Sequence, residues 1–464
     1  MFEHKLIHKI FYVAITVLAA AVVFLLQDRI DLSKTNQQKV QEFYQKLSNS
    51  QVAFTDSGEF IFPDEKKFLD LKSQYIKDGE RFVEIDLRAM RGALYENGEQ
   101  VKDFAVLAKG REGTWWETPT GNYRVINKEY LYFSKLAKVW MPYATQFYGS
   151  FFIHGWPFYQ NGTPLPRTVL GSLGCIRLAD QDAKAVFDFS KIGTRILVLE
   201  DEPLKNYGEL SSKTKIAISL PATSANSLFI ANLVTGATIL KKDVNDVLPL
   251  GPLTKFMTAL SVADLLNPEQ QVKVSQSSLA NAQTFTLFEP QIGKQYMVLD
   301  LLYPLLMQSS NEAAAILADF IGAGNLLINM NSKAKSLGMS DTRLADFQGN
   351  TAKNVSTAKD LFKILQHVLY KRSFLFDISK GKEYFGVGPG KLGGITNLNS
   401  FYQSDDLVGA QGGKTASGSE NLFSVWNMGG AKKVPVAIIV LGSEDAAADT
   451  QNLLDWVRDN FEVL

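Results

Sequence analysis

The sequence predicts a multidomain chain: an N-terminal transmembrane helix, then a mostly-β domain, then an α+β domain. Three observations lead there. The chain has 464 residues, more than one ordinary core accommodates. Residues 10–26 carry no charge and almost nothing polar. Near residue 200 the hydrophobic pattern changes from two-residue alternation to long helical stretches.

The apolar stretch Ile10–Leu26 follows Lys5 and Lys9 and precedes Asp28, Arg29 and Asp31. It is long enough to cross a hydrocarbon core of roughly 30 Å as a short helix. Lysines on its N-terminal side favour a cytoplasmic N-terminus and an extracytoplasmic remainder. A cleaved signal peptide fits less well, because LLQDRIDLS offers no small-x-small cleavage site. Residues 1–30 are therefore expected to be a tail and single-pass membrane anchor, and residues 31–80 a polar, helix-prone stalk.

Beyond the stalk, RFVEIDL and GALYENGEQV alternate aromatic or β-branched residues with polar ones, as a β-hairpin does. DFAVLAKG, NYRVINK, SFFIHG and TRILVLE continue the strand pattern, with one helix expected around ADQDAKAVFDF. Residues 81–200 thus form the mostly-β domain, and the polar, proline-containing run 201–215 is a linker. In residues 216–464, the strands IAISL and SLFIANLV lead to the helical patterns LTKFMTALSVADLL, LLYPLLMQSSNEAAAILADFI and LINMNSKAKSLG. The strand VPVAIIVLG and the helix ADTQNLLDWVRDNF close an α+β domain.

Composition narrows the chemistry. A hydrophobic fraction of 46% with 21% charged residues is that of a folded globular protein. Lys+Arg and Asp+Glu both number 48, which argues against a nucleic-acid partner. Neither histidine spacing nor carboxylate clustering makes a metal-ligand set, and no cofactor is expected. Cys175 is the only cysteine, so no internal disulfide forms, and a reactive thiol is one explanation for its presence. His154 is the only histidine in the same domain.

Cys175 sits in GSLGCIRL. Gly174 permits a tight turn, and the N–H groups of Gly174 and Cys175 suit an oxyanion formed in acyl transfer. A free thiol is mostly protonated at neutral pH and needs a base, for which His154, 21 positions earlier, is the candidate. The bland alternative is a small buried cysteine and a structural histidine. Residues 81–200 resemble the L,D-transpeptidase (YkuD-type) catalytic domain. Its signature is a histidine, a spacer, then Ser/Thr-His-Gly-Cys; here His154-Gly155 is followed by Ser172-Leu173-Gly174-Cys175-Ile176-Arg177. TPTGNY, from Thr118 to Tyr123, matches an upstream turn of that family. Leu173 departs from the pattern, standing where the family usually has histidine.

The resemblance implies a cysteine thioester mechanism on peptidoglycan stem peptides, ending in a 3→3 cross-link or, with water as acceptor, in hydrolysis. Cys175 is then the nucleophile, His154 the base and acid, and Gly174 an oxyanion donor. Arg177 is a carboxylate fork or a structural ion-pair partner. Ser172 bonds within the loop, Gly155 follows the base, and Tyr143, Trp156 and Tyr159 line a donor groove or the core.

Residues 216–464 carry Ser309-Ser310-Asn311 and Lys414-Thr415-Ala416, with Lys255 in GPLTKFMTAL. This set resembles the D-alanyl-D-alanine carboxypeptidases of the penicillin-binding family, whose motifs are Ser-x-x-Lys, Ser-x-Asn and Lys-Thr-Gly. The serine position, three residues before Lys255, is Pro252, which has no nucleophilic atom. Proline suits a first helical turn, so the helix is expected to survive while serine chemistry is lost. Lys255, Ser309, Asn311, Lys414 and Thr415 then form a remnant that binds stem peptide or only holds the frame. The rival reading of the whole chain is a wall-binding scaffold in which both sites are dead.

Overall fold

The structure, a computed structural model, describes residues 65–464 except 135–136, 170, 201–206, 214–218, 283–286 and 385. The expected anchor over residues 1–30 and most of the stalk lie outside the described residues, as does most of the strand expected at IAISL. Among the described residues, no single helix is long and apolar enough to cross a membrane.

The first domain is built on two sheets. One runs, in spatial order, Glu99–Ala105, Arg91–Glu96, Phe82–Asp86, Arg195–Leu199 and Gly121–Arg124. The other runs Asn127–Ser134, Val139–Tyr148, Phe151–His154 and Ile176–Arg177, with the short Phe158–Tyr159 paired to Val139–Tyr148. Alternation places Val83, Ile85, Ile196 and Val198 against Phe147, Ile153 and Ile176 of the second sheet. The opposite face of the first sheet presents Phe82, Tyr95, Leu197 and Leu199 to Phe68 and Tyr75. These two belong to the helix Glu65–Lys77, inside the expected stalk. That helix is thus part of the domain, because it covers an otherwise bare apolar sheet face. The expected hairpin is a three-stranded meander: GALYENGEQV itself folds back at Asn97-Gly98, both with positive φ.

The second domain has an antiparallel sheet ordered Thr238–Lys242, Ser227–Asn232, Val434–Ser443, Glu420–Met428, Leu407–Lys414. VPVAIIVLG is apolar throughout because both faces are covered. Ala437, Ile439 and Leu441 face a helical layer, while Val436, Ile438 and Val440 face the helix Ala446–Asn460. The long pattern LLYPLLMQSSNEAAAILADFI is two helices, Val298–Met307 and Asn311–Ile321. The break has a local cause: Ser309 has φ +53°, and the Ser310 side chain caps the second helix by accepting from the Ala313 amide. Part of the expected linker is also structured, since Leu210–Ser212 pairs with Phe461–Val463.

Buried charge joins the two domains. Lys371, the last residue of the helix Ala358–Lys371, lies 2.9 Å from Glu117 and 3.1 Å from Glu200 of the first domain. Arg372 lies 3.1 Å from Asp264, which also pairs with Lys333 at 2.6 Å and accepts from the Tyr148 hydroxyl at 2.7 Å. Trp115 crosses the boundary, stacking on Phe374 and donating its indole N–H to the Leu266 carbonyl at 3.0 Å. Breaking a buried pair strands its partner, which costs about 3–5 kcal/mol. Lys371→Met is expected to destabilise the chain by that order in urea unfolding, whereas Lys184→Ala, at an exposed pair with Asp188, should change it by under about 0.5 kcal/mol.

Candidate active site

Phe151–His154 pairs in parallel with Ile176–Arg177, and His154 stands opposite Arg177. Side chains alternate along a strand, so Cys175, two residues before Arg177, faces the same side as His154 and Phe152. That is the outer face of the second sheet. Cys175 clusters there with Val139, Met141, Ala144 and Phe152, and Tyr132 and Leu165 pack against the cluster.

The turn before the thiol requires glycine. Gly174 has φ +95°, and a Cβ at that position would stand 2.3 Å from the Phe151 ring. Its carbonyl accepts from the Thr118 hydroxyl at 2.9 Å, and that hydroxyl accepts from the Gly110 amide at 2.8 Å. The Ser172 hydroxyl donates to the Cys175 carbonyl at 2.5 Å, a bond within the loop. Arg177 donates to the carbonyls of Val169 and Gly171, each at 2.9 Å, so its fork holds the segment leading to Cys175. Its guanidinium and that of Arg167 both lie over the Trp156 ring, and the Trp156 indole N–H reaches the Leu165 carbonyl at 2.8 Å. Gly155 leaves no room for a side chain, since a Cβ would lie 2.4 Å from Asp180 Oδ1.

His154 Nδ1 lies 2.6 Å from the Gly155 carbonyl oxygen. A carbonyl only accepts, so the proton resides on Nδ1, and the Nε2 lone pair is left for a proton to be abstracted. Burial pushes the His154 pKa down to about 4, with the Arg177 cation adding to it. Burial pushes the Cys175 thiol up to about 11, against an N–H bond from Phe152 and the Arg177 charge, which both favour thiolate. The resting pair is accordingly a neutral thiol and a neutral imidazole. Leu173, in place of the expected imidazole, is 39% exposed.

Tyr143 stands apart from this cluster. It packs on Tyr130 and Phe187 and against the core between the sheets, because φ +54° at Tyr143 takes it out of the strand's alternation. Tyr132 and Leu165 pack against the cluster that holds the thiol, and Thr118 bonds its loop; none of the three was given a role by motif reading. The Thr-Pro-x-Gly turn signalled Thr118; nothing in the motif signalled the other two.

In the second domain the remnant motifs converge. Pro252 lies in the turn Gly251–Leu253, and a Cβ on Gly413 would meet its ring at 2.9 Å, so the proline fills the space beside the Lys414 strand. Lys255 is buried and donates to the Gln348 carbonyl at 2.5 Å; the Gln348 side chain reaches the Asn311 carbonyl at 3.3 Å. Burial lowers the Lys255 pKa to about 7, opposed by Asp346 and Glu312. Ser309 Oγ is buried without a hydrogen-bond partner. Lys414 is largely exposed, 3.5 Å from Glu420, and the Thr415 hydroxyl bonds Ser417 and Ser419.

A buried thiol and an imidazole thus share one sheet face, and the thiol sulfur lies 4.0 Å from the Ser150 carbonyl oxygen. The family model for the L,D-transpeptidase catalytic domain matches residues 80–198, and that for D-alanyl-D-alanine carboxypeptidase matches residues 214–445. The chain belongs to the D-alanyl-D-alanine carboxypeptidase family and carries an L,D-transpeptidase catalytic domain ahead of it. It is 33% identical over 144 residues to a D-alanyl-D-alanine endopeptidase of Pseudomonas aeruginosa, covering 31% of this chain and 46% of that protein. A D-alanyl-D-alanine endopeptidase of Escherichia coli is 35% identical over 153 residues, covering 32% and 48%. A Streptomyces D-alanyl-D-alanine carboxypeptidase is 29% identical over 230 residues, covering 46% and 79%. The chain spans about half the length of the two endopeptidases.

The depressed His154 pKa has a stability consequence. Above pH 6.5 imidazole is neutral in both folded and unfolded chains; as pH falls towards 4 only the unfolded chain takes up the proton. Folded stability is therefore lost across that window, by about 3 kcal/mol at 1.36 kcal/mol per pH unit. His154→Asn should remove this part of the acid dependence, seen as a smaller change in urea unfolding between pH 7 and pH 4 than in the parent chain.

Proposed function

We propose that this chain is a membrane-anchored peptidoglycan L,D-transpeptidase that forms 3→3 cross-links through a Cys175 thioester. The observation that carries the reading is the shared face of Cys175 and His154, with the His154 proton pinned on Nδ1 by the Gly155 carbonyl. His154 Nε2 takes the thiol proton as sulfur attacks the carbonyl of the third stem residue, a diamino acid. The oxyanion is met by N–H groups of Gly174 and Cys175. Collapse expels the terminal D-alanine amine, which takes the proton back from His154. A neighbouring side-chain amine then attacks the thioester, loses its proton to His154, and releases the thiol. Arg177 acts by fixing the loop, and the anchor at residues 1–30 keeps both domains at the outer membrane surface.

Pro252 supports a second domain that is not acylated, whose Lys255, Ser309, Asn311, Lys414 and Thr415 hold a stem peptide. A second reading, a wall-binding scaffold with both sites silent, is favoured by one observation: Cys175 is only 9% exposed.

The test is intact mass spectrometry of the full chain with tetrapeptide muropeptides, beside Cys175→Ala. A peptidyl adduct on Cys175, or cross-linked dimers absent from the variant, is the expected result. Released D-alanine without dimers would make the enzyme a carboxypeptidase. Folded protein without adduct or turnover across a range of stem peptides would leave the scaffold. Gly174→Ala keeps the backbone N–H, but at φ +95° its Cβ would stand 2.3 Å from the Phe151 ring, so the turn must shift and turnover should fall at least about 100-fold, the order lost when an oxyanion donor is taken away.

A further inference from the structure

One segment of the first domain touches both the nucleophile loop and the second domain. Residues 107–118 form a strap whose two ends meet at that loop. At one end, Ala108 and Arg177 share a backbone bridge, the Ser172 amide donates to the Lys109 carbonyl at 3.1 Å, and Gly110 bridges Ser172. At the other end, the Thr118 hydroxyl joins the Gly110 amide to the Gly174 carbonyl. The ends are in close contact: a Cβ on Gly110 would lie 1.8 Å from the Trp116 carbonyl oxygen and 2.8 Å from Gly174 Cα.

The middle of the strap is anchored elsewhere. The Trp115 amide donates to the Tyr384 hydroxyl at 2.7 Å, and its ring lies in the second domain's core. Glu117, immediately before Thr118, is completely buried, pairs with Lys371, and offers its backbone carbonyl to Arg372 at 3.3 Å. Its other carboxylate oxygen accepts from the Gly113 amide at 2.7 Å, closing the strap on itself. Lys109 pairs with Glu200, the second carboxylate on Lys371.

We propose that the carboxypeptidase-like domain is a positioning element for the transfer reaction. Lys371 and Arg372 fix Glu117, and the adjacent Thr118 hydroxyl transmits that placement to Gly174 and the oxyanion turn. This rests on reading Cys175 as the nucleophile. It goes beyond that reading by giving a domain without its serine a role that needs no ligand. An interface that served only as glue would affect stability and leave the turn where it is.

The single cysteine allows a test with two independent readouts on the full chain. One is kcat and KM for stem-peptide transfer; the other is alkylation of Cys175 by iodoacetamide at pH 8, followed by intact mass. Glu117→Gln and Thr118→Val loosen the strap, while Tyr148→Phe removes an interdomain hydrogen bond that does not touch it. All three are near-isosteric, and folding is checked by circular dichroism. The expected result for Glu117→Gln and Thr118→Val is a 10- to 100-fold lower kcat, KM within threefold, and alkylation at least fivefold faster as the thiol is uncovered. Tyr148→Phe should melt earlier and keep both readouts within threefold of the parent. The proposal is overturned if Glu117→Gln and Thr118→Val keep both readouts within twofold, or if Tyr148→Phe changes them equally. Should the parent chain transfer no stem peptide, the nucleophile reading fails by itself, and the alkylation arm still decides whether the second domain sets the turn.

Discussion

Glu117, Glu200 and Asp264 are buried where the two domains meet, and each needs a cation that the second domain supplies through Lys371, Arg372 and Lys333. A carboxylate taken out of water is tolerable only when paired and hydrogen-bonded. Burial raises the Glu117 pKa despite Lys371 and Arg372. For Lys371, burial pulls the pKa down, but the two carboxylates outweigh it and leave it raised. Both shifts favour retaining a proton where two carboxylates share one lysine. At Asp264 the balance runs the other way: burial raises the pKa, and Lys333 and Arg372 more than offset it. The domains are thereby fixed in one arrangement, since sliding either would strand a buried charge. Apolar packing alone, which is non-directional, would not impose that.

The placement of Cys175 and His154 depends on this arrangement less directly than on their own sheet. Strand parity puts Cys175, His154 and Arg177 on one face, and parity follows from the lengths of Phe151–His154 and Ile176–Arg177 and their register. What parity leaves open is the path of the loop between them. Arg177 settles it by binding the Val169 and Gly171 carbonyls, and Asp180 accepts from the Trp156 amide at 2.5 Å. The residues around the thiol are therefore mostly holders of backbone.

Much of this was legible in the sequence because it follows from local rules. Alternation marked the strands, VPVAIIVLG was legible as a strand, and Gly174 marked a tight turn. Pro252 was legible as a helix start without a nucleophile. Other features depend on distant partners and leave no local trace. The helix Glu65–Lys77 reads as a polar stalk because only Phe68, Tyr75 and a few neighbours on it are apolar, and only the finished sheet shows what they cover. Arg177 reads as a carboxylate fork or a structural ion-pair partner because a sequence does not reveal that two carbonyls will occupy it. Tyr143 reads as a groove or a core residue, and the sequence does not decide because its positive φ, which redirects the ring towards the core, is not a property of the residue. Glu117 and Lys371 are ordinary charged residues until the domains meet.

The covered thiol bears on chemistry other than transfer. Oxidants, like alkylating agents, act on the thiolate, and moving the pKa from 9 to about 11 lowers its fraction at a given neutral pH about a hundredfold. Tyr132 and Leu165 pack against the cluster that holds Cys175, so small reagents meet an apolar wall before they meet sulfur. A lone cysteine has no resolving partner within its own chain, and oxidation to the sulfonic acid is permanent. A thiol kept neutral and shielded in this way is slow to oxidise, and the same burial that slows its ionisation protects the only cysteine the chain has.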